Sequence, residues 1–302
     1  MTLIPTYESL RIYDITPVEE YNGIIYKRDD KYLPFDDVPI SGGKVRQAAC
    51  LMLNNYDTIK NECNGLVATG TSVNSPQGIV VSRTAKEFGF DCLVVFGATK
   101  KETLMRNLMV RWVLDSGARL DYECGIGYDS ALNARIKKIS NTIKLFHVKF
   151  GINLESNPDA IINSIAYQVQ NIPHDLDNLI IPTGSAITDG GILCGLKEYN
   201  INPKRVIIVQ ISGYDRQNML HKIFNVLDLG YPHYEYVADT TYPYSKNLYI
   251  KLNNTEMLDP VYEAKAYEWM IKNIDYKNEK TLFWIIGNSY YVRTLTPQML
   301  RE

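Results

Sequence analysis

Residues 64–98 read NGLVATGTSVNSPQGIVVSRTAKEFGFDCLVVFGA, and this stretch contains the alternation that decides the fold. The apolar run at 64–70 predicts a buried strand, residues 74–89 predict a helix that ends at a glycine, and the run at 91–98 predicts a second strand. Both strands are continuously apolar, which is typical of a parallel sheet covered on both faces. The stretch therefore predicts a β-α-β unit of an α/β fold.

The same rhythm continues along the chain. Further strands are predicted at 118–124, 144–150, 178–182, 205–211, 234–239 and 281–286, and further helices at 101–116, 130–140, 158–170, 189–199, 216–227 and 260–273. Parallel sheets bind ligands outside the carboxyl ends of their strands. We therefore expect the chemistry of this protein in loops that follow strands.

Composition narrows the class of protein. The chain has 302 residues, 45 % of them hydrophobic and 22 % charged, which suits one large or two ordinary globular domains. The net charge is −2 and the basic residues do not cluster, which argues against binding to duplex nucleic acid. No stretch approaches the roughly 20 apolar residues of a membrane helix, and residues 1–9 lack the features of a signal peptide.

The cysteines indicate a reducing compartment. They are Cys50, Cys63, Cys92, Cys124 and Cys194. None has CxxC spacing and no histidine completes a zinc pattern, so no metal site is expected. Five scattered cysteines predict reduced, buried thiols in a cytoplasmic protein.

A glycine turn precedes a lysine in the segment YKRDDKYLPFDDVPISGGKVRQ at 26–47. Lys44 follows this turn, where a helix is predicted to begin. The positive end of a helix dipole lowers the pKa of a lysine, which suits an amine that forms a Schiff base. The alternative interpretation is a surface lysine after a turn.

Two further loops join a predicted strand to a predicted helix. In TGTSVNSPQ at 69–77, Asn74 could donate to a ligand oxygen, or it could simply cap the next helix. In PTGSAITDGG at 182–191, small residues before a helix N-terminus could bind phosphate, although a plain turn is the alternative.

A fourth motif, LDPVYEAK at 258–265, opens the helix predicted at 260–273. It places two ionisable side chains, Tyr262 and Glu263, next to each other near the start of this helix. The alternative is that Glu263 only favours the helix N-terminus electrostatically.

Taken in order, the four loops resemble those of the fold-type II pyridoxal-phosphate enzymes, which have a tryptophan synthase β-like fold. The resemblance is strongest to the branch that contains 1-aminocyclopropane-1-carboxylate deaminase and D-cysteine desulfhydrase. That family reads KREDL, GGNKTR, QSN, TGSGGTQAG, DPVYEGK and LFWHTGG. Here the corresponding letters are KRDD at 27–30, GGKVR at 42–46, the Asn of TSVNS at Asn74, TGSAITDGG at 183–191, DPVYEAK at 259–265 and LFWIIGN at 282–288. The resemblance spans about residues 25–290.

The resemblance implies a role for each matching residue. Lys44 is the Schiff-base lysine and shuttles protons, and Tyr262 stacks on the substrate or donates a proton to it. Asn74 bonds the 3′ oxygen of pyridoxal 5′-phosphate, and Glu263 faces its pyridine nitrogen, where a carboxylate favours a protonated ring. The remaining cofactor contacts come from Thr183, Gly184, Ser185, Ala186, Ile187, Thr188 and Gly287.

The departures from the family lie where its substrate binds. The family serine before the Asn is Val73 here, flanked by Ser72, and the glutamine after the Asn is Ser75. The phosphate loop has Ala186 and Ile187 in place of two glycines, and the HTGG segment has lost its His and Thr. We therefore expect a kept cofactor site, with Ser72, Val73, Ser75 and Tyr262 as substrate contacts, and no opening of a cyclopropane ring.

The implied architecture has a large cofactor domain, residues 1–46 and 151–302, and a small inserted domain, residues 47–150. Parallel sheets covered by helices are expected, with a homodimer by analogy. The first functional hypothesis is a lyase, deaminase or desulfhydrase that acts on a small amino acid. The second is an enzyme for a larger amino-acid conjugate, such as a modified nucleotide, that runs β-replacement, decarboxylation or elimination. The third is a family member without catalytic activity.

Overall fold

The computed structural model describes residues 4–97, 100–125, 127–152, 158–211, 215–226, 228, 230 and 232–301. The strands are β1 Val18–Tyr21, β2 Ile24–Arg28, β3 Ser41–Gly42, β4 Leu66–Thr71, β5 Asp91–Gly97, β6 Arg119–Cys124, β7 Phe146–Val148, β8 Asn178–Thr183, β9 Arg205–Gln210, β10 Glu235–Ala238, β11 Thr281–Ile285 and β12 Gly287–Asn288. The helices are α1 Gly43–Asn54, α2 Gln77–Glu87, α3 Lys101–Arg106, α4 Leu108–Asp115, α5 Asp129–Ser140, α6 Pro158–Ala166, α7 Ile187–Glu198, α8 Gln217–Val226, α9 Glu263–Asn273, α10 Tyr290–Thr294 and α11 Pro297–Arg301.

Two sheets form the framework. The larger has the order β1-β2-β11-β8-β9-β10, and its pairs are parallel except β1 with β2. The smaller is parallel, with the order β6-β5-β4-β7. A short antiparallel pair joins β12 to β3 beside the start of α1. The predicted α/β fold with helix-covered parallel sheets is confirmed, with β1 as the antiparallel exception.

Continuous apolar strands place the core on both faces of each sheet. Every residue of β4, β8 and β11 is buried. Helix α7 packs against β8, and α6 packs against both α7 and α1. Among the described residues, no helix is long and apolar enough to cross a membrane.

The first two strands were not predicted, although the sequence carries a signal for them. Asn22 and Gly23 join β1 to β2 with φ angles of 54° and 76°. An Asn-Gly pair with positive φ at both residues is the preferred two-residue turn of a β-hairpin. The YNGI segment at 21–24 therefore encodes the hairpin that puts β2 beside β11.

Two of the predicted helices differ from the observed ones in ways that local hydrogen bonds explain. The helix predicted at 101–116 is two helices, because the Asn107 side chain accepts hydrogen bonds from the backbone N–H groups of Met109 and Val110 and so caps a new helix. The helix predicted at 74–89 begins at Gln77, because the Ser75 hydroxyl accepts from the Gln77 N–H and Pro76 precedes the first turn.

The segment after β12, residues 289–301, returns to the smaller sheet. We call it the C-terminal segment. The indole Nε1 of Trp112 on α4 donates to the Leu295 carbonyl at 3.0 Å, and Arg301 forms an ion pair with Asp115 on the same helix. The C-terminal segment therefore links the two sheets.

The strands of the smaller sheet all lie within residues 47–150, and those of the larger sheet lie within 1–46 and 151–302. The division into two domains at these boundaries remains a prediction.

Candidate active site

Lys44 lies in the first turn of α1, next to the junction between β3 and β12. Gly42 precedes this helix with a φ of 94°, and a Cβ at this position would collide with the backbone carbonyl of Ile286. Only glycine tolerates this conformation and this close approach. The glycine turn therefore allows α1 to lie against β12, and Lys44 then lines a cleft.

The amine of Lys44 is easier to deprotonate than an ordinary lysine. Its pKa is lowered to about 8, mainly by burial and in smaller part by the positive charge of Arg216, while Asp259 acts in the opposite direction. The sequence predicted a lowered pKa from the helix dipole, whereas the structure attributes it to the cleft and to Arg216. Lys44 is thus poised to act as a neutral amine slightly above neutral pH.

A buried ion pair anchors the start of α1. The Arg46 guanidinium donates to Asp29 Oδ1 at 2.6 Å, and neither side chain is accessible to solvent. Arg46 also lies over the Tyr32 ring, 4.1 Å from its centroid. Asp29 belongs to the KRDD segment, so this segment fixes the first turn of the helix that carries Lys44.

The loop after β8 turns into the N-terminus of α7. Ala186 adopts a left-handed conformation, with a φ of 68°, immediately before the helix. A Cβ at Gly184 would lie 2.6 Å from Cε1 of Tyr262, so glycine is needed for the tyrosine ring to reach the loop. The turn leaves the first backbone N–H groups of α7 at the cleft, an arrangement that suits a phosphate group.

Helix α9 begins with the pair Tyr262 and Glu263. The Asp259 carboxylate holds the turn before this helix by accepting from the backbone N–H groups of Val261 and Tyr262 at 2.8 and 3.0 Å. Glu263 Oε1 accepts from the backbone N–H groups of Ile286 and Gly287, both at 3.2 Å. Burial, with a smaller contribution from Asp259, raises the pKa of Glu263 well above its ordinary value.

Tyr262 pairs with a second tyrosine, Tyr244. Its hydroxyl lies 2.8 Å from that of Tyr244, and burial raises the pKa of both phenols. Lys265 holds the Tyr244 loop by donating to the carbonyls of Pro243 and Tyr244 at 3.0 and 3.1 Å. Both hydroxyls therefore stay protonated across the physiological pH range.

These elements enclose one cleft, which has about 720 Å³ of empty space including its mouth. The predicted site residues that line it are Lys44, Gly184, Ser185, Ala186, Thr188, Tyr262, Glu263 and Gly287. Of the other predicted residues, Thr183 and Ile187 are buried behind the loop, and Ser72, Val73, Asn74 and Ser75 lie in the loop before α2 rather than in the cleft wall. The residues of that loop and of α2 that do line the cleft are Pro76 and Val80.

Several residues of the site were missed in the sequence. Asp189 and Ser289 line the cleft, and Asp259 both lines it and holds the turn before α9. Arg293 donates to the Ser289 hydroxyl at 2.7 Å and to the Asn74 carbonyl at 2.6 Å. Only Asp259 carried a usable signal, because an Asp followed by Pro favours the start of a turn.

Comparison with known proteins defines the class of fold. The chain is similar to an ACC deaminase homologue, with a TM-score of 0.68, 18 % identity and coverage of 93 % of this chain and 94 % of that chain. It is also similar to O-acetylserine-dependent cystathionine β-synthase from Helicobacter pylori, with a TM-score of 0.65, 16 % identity and coverage of 98 % and 100 %. The fold is that of the fold-type II pyridoxal-phosphate enzymes, which confirms the predicted resemblance.

One curated relative matches most of the chain in sequence. The O-seryl-dTMP PLP-dependent decarboxylase of Salmonella phage ViI is 26 % identical over an alignment of 343 positions that covers 89 % of this chain and 79 % of the relative. No family model matches the chain.

Proposed function

We propose that this protein is a pyridoxal 5′-phosphate enzyme that decarboxylates an amino acid carried on a larger, nucleotide-like group. Three observations support the proposal: a cleft whose residues fit the cofactor, an apolar wall where the family binds the substrate carboxylate, and the relative from phage ViI, whose name gives a nucleotide-linked serine as its substrate.

The residues of the cleft fit the cofactor. A lysine amine with a lowered pKa suits an aldehyde, and a small-residue turn at the N-terminus of a long helix suits a phosphate. The carboxyl of Glu263, whose pKa is raised, can share a proton with a basic ring nitrogen. Lys44, the 184–188 turn and Glu263 would thus hold the aldehyde, phosphate and pyridine parts.

When bound, pyridoxal phosphate supplies an electron sink for negative charge that develops at the substrate Cα. Decarboxylation breaks the bond from Cα to the carboxylate carbon, releases CO₂ and leaves the electron pair at Cα. Lys44 and Tyr262 both line the cleft and could return a proton to this carbon. The raised pKa of Tyr262 keeps its proton available at neutral pH.

The apolar wall formed by Pro76 and Val80 favours decarboxylation over the other reactions. In the resembling family, the serine before the Asn contacts or attacks the substrate, and the glutamine after it helps to hold the substrate carboxylate. Here Val73 packs against the core, and the Ser75 hydroxyl is buried and accepts from the Gln77 N–H at 3.3 Å. Pro76 and Val80 face the cleft instead. A carboxylate held against apolar side chains is destabilised relative to neutral CO₂, which favours its loss.

The glutamine beside this wall cannot replace the missing clamp. Gln77 is fully buried, and its Nε2 donates to Thr69 Oγ1 at 2.9 Å and to the Lys149 carbonyl at 3.0 Å. Its Oε1 accepts from the Gly151 N–H at 2.7 Å. Every polar group of this side chain is therefore committed to the protein itself.

Two arginines act electrostatically on residues of the cleft, although neither lines its wall. Arg216 acts electrostatically on Lys44 and Tyr244, and Arg293 acts on Tyr262 and Tyr244. Arginine is well suited to a phosphate group because its planar guanidinium donates two parallel hydrogen bonds. This charge supports a substrate with an anion beyond its amino acid.

The test is release of CO₂ from carboxyl-labelled substrates by the purified, cofactor-loaded protein. We expect labelled CO₂ from O-seryl-dTMP and no ammonia, pyruvate or 2-oxobutyrate from free serine, threonine or cysteine. Keto acid and ammonia from the free amino acids would instead establish the lyase or deaminase hypothesis. A protein that binds the cofactor but leaves all these substrates unchanged would favour a member without catalytic activity.

A further inference from the structure

Gln47 lies one helical turn after Lys44 on α1, so both side chains leave the helix on the same face. It is 1 % exposed. Its amide Nε2 donates to the hydroxyl oxygen of Thr188 at 2.9 Å. Thr188 lies in the first turn of α7 and lines the cleft. One hydrogen bond thus connects the helix that carries Lys44 to the turn that suits a phosphate.

The direction of this bond fixes what Thr188 can do. A side-chain NH₂ group can only donate, whereas a hydroxyl has one donor and two acceptor positions. Because Thr188 accepts from Gln47, its own proton remains available to the cleft. A phosphate oxygen only accepts hydrogen bonds, so a hydroxyl held in this way is prepared to bind one.

A glutamine at position 47 is energetically unfavourable if its role is only structural. Its Oε1 is buried and has no hydrogen-bond partner within the part of the chain that the structure describes. A buried, unsatisfied carbonyl is unfavourable, and methionine would fill similar space without this cost. The hydrogen bond from the NH₂ group to Thr188 therefore explains why residue 47 is a glutamine.

We propose that Gln47 is a positioning residue for the phosphate group of the cofactor, which it serves by holding the Thr188 hydroxyl as a donor into the cleft. The inference rests on the proposed function, because it takes the anion at this turn to be the phosphate of pyridoxal phosphate. Gln47 itself does not touch the reacting atoms.

The test compares pyridoxal phosphate with pyridoxal, which lacks the phosphate, by absorbance titration of the cofactor-free full-length protein. Gln47→Met should weaken pyridoxal phosphate binding several-fold, and Gln47→Glu should weaken it roughly ten- to a hundredfold, because a carboxylate accepts the Thr188 proton and adds negative charge. Pyridoxal binding should stay within about twofold of the wild-type value in both variants, since no phosphate contact is involved.

Two further variants separate positioning from packing. In a Thr188→Val background, Gln47→Met should have no further effect on pyridoxal phosphate affinity, because the hydroxyl through which it acts is gone. Gln168→Met is the matched control: Gln168 is also fully buried and bonds to Thr16 and Asp14 away from the cleft. It should lower the melting temperature and leave the ratio of the two affinities unchanged.

If Gln47→Met does not fold, Thr188→Val alone must still weaken pyridoxal phosphate and spare pyridoxal. Equal weakening of both ligands, or unchanged pyridoxal phosphate affinity in Gln47→Met and Gln47→Glu, would overturn this inference alone. A wild-type protein that binds neither ligand on Lys44 would overturn the proposed function as well.

Discussion

The guanidinium of Arg293 donates to the backbone carbonyl of Asn74 at 2.6 Å, and so joins the C-terminal segment to the loop before α2. The same side chain donates to Ser289, whose N–H and hydroxyl both donate to Asp259 Oδ2. A continuous series of hydrogen bonds therefore runs from the Asn74 loop to the turn that precedes Glu263 and contains Tyr262. Asn74 takes part in this series through its backbone carbonyl.

Arg293→Ala should loosen the loop before α2. It removes two hydrogen bonds from a charged donor, which is worth about 1.5–3 kcal/mol each at most. We expect a lower melting temperature and faster amide exchange at residues 72–75, measured by hydrogen–deuterium exchange. Arg301→Ala, which removes an exposed ion pair in the same segment, is the control and should change stability by less than about 1 kcal/mol. Equal effects of the two variants would contradict the role of Arg293.

The reactivity of Lys44 should follow a pKa of about 8, rather than the ordinary value of 10.5. Competitive acetylation of the cofactor-free protein, followed by peptide mass analysis at Lys44, measures this titration. Because the charge of Arg216 lowers the pKa of Lys44, Arg216→Gln should raise it. Arg205→Gln is the matched control, since Arg205 lies at the opposite end of β9 and pairs with Glu235. An inflection near 10.5 in the wild type would refute the prediction.

Asp189 should make the cofactor-free protein less stable as the pH rises. Burial raises its pKa from 3.8 to about 7, so the folded state holds a proton that the unfolded state has already lost across this window. The contribution of Asp189 to the free energy of unfolding therefore falls between these pH values, by at most about 1.4 kcal/mol per pH unit. Asp189→Asn should gain stability relative to the wild type from pH 4 to 7 in urea unfolding. Parallel stability curves would show that Asp189 titrates normally.

Gly184→Ala should displace Tyr262, because the new Cβ would lie 2.6 Å from the tyrosine ring. Overpacking of this kind costs about 1–3 kcal/mol, and we expect a large loss of activity with a modest loss of stability. Gly125→Ala, which meets nothing within 4 Å, is the control. If Gly184→Ala keeps full activity, the position of the Tyr262 ring is not critical.

Much of the fold follows from the sequence because apolar runs record burial directly. The strand at 64–70 and the strand at 281–286 were predicted nearly at their observed places, since each is buried on both faces. The break at Asn107 was missed because the apolar helical pattern continues through it, while the capping bonds depend on one side chain. Periodicity reports which face is buried and says little about local hydrogen bonds.

The site was predictable where a motif lies within one loop. Lys44, the 184–188 turn and the Tyr262–Glu263 pair follow from short segments and from their order. Arg293 is more than 200 residues from Asn74 along the chain, and Gln47 meets Thr188 across a separation of 141 residues. Contacts at such distances follow from the topology of the sheets, which no local pattern in a single sequence records.

The position of β11 has a consequence for how the protein is made. This strand lies between β2 and β8, although it is translated after both of them. Until Ile285 has left the ribosome, β2 and β8 each present an open edge that the finished sheet conceals. Assembly of the larger sheet must therefore wait for a late strand to insert at its centre, which favours slow folding and exposes the waiting edges to aggregation.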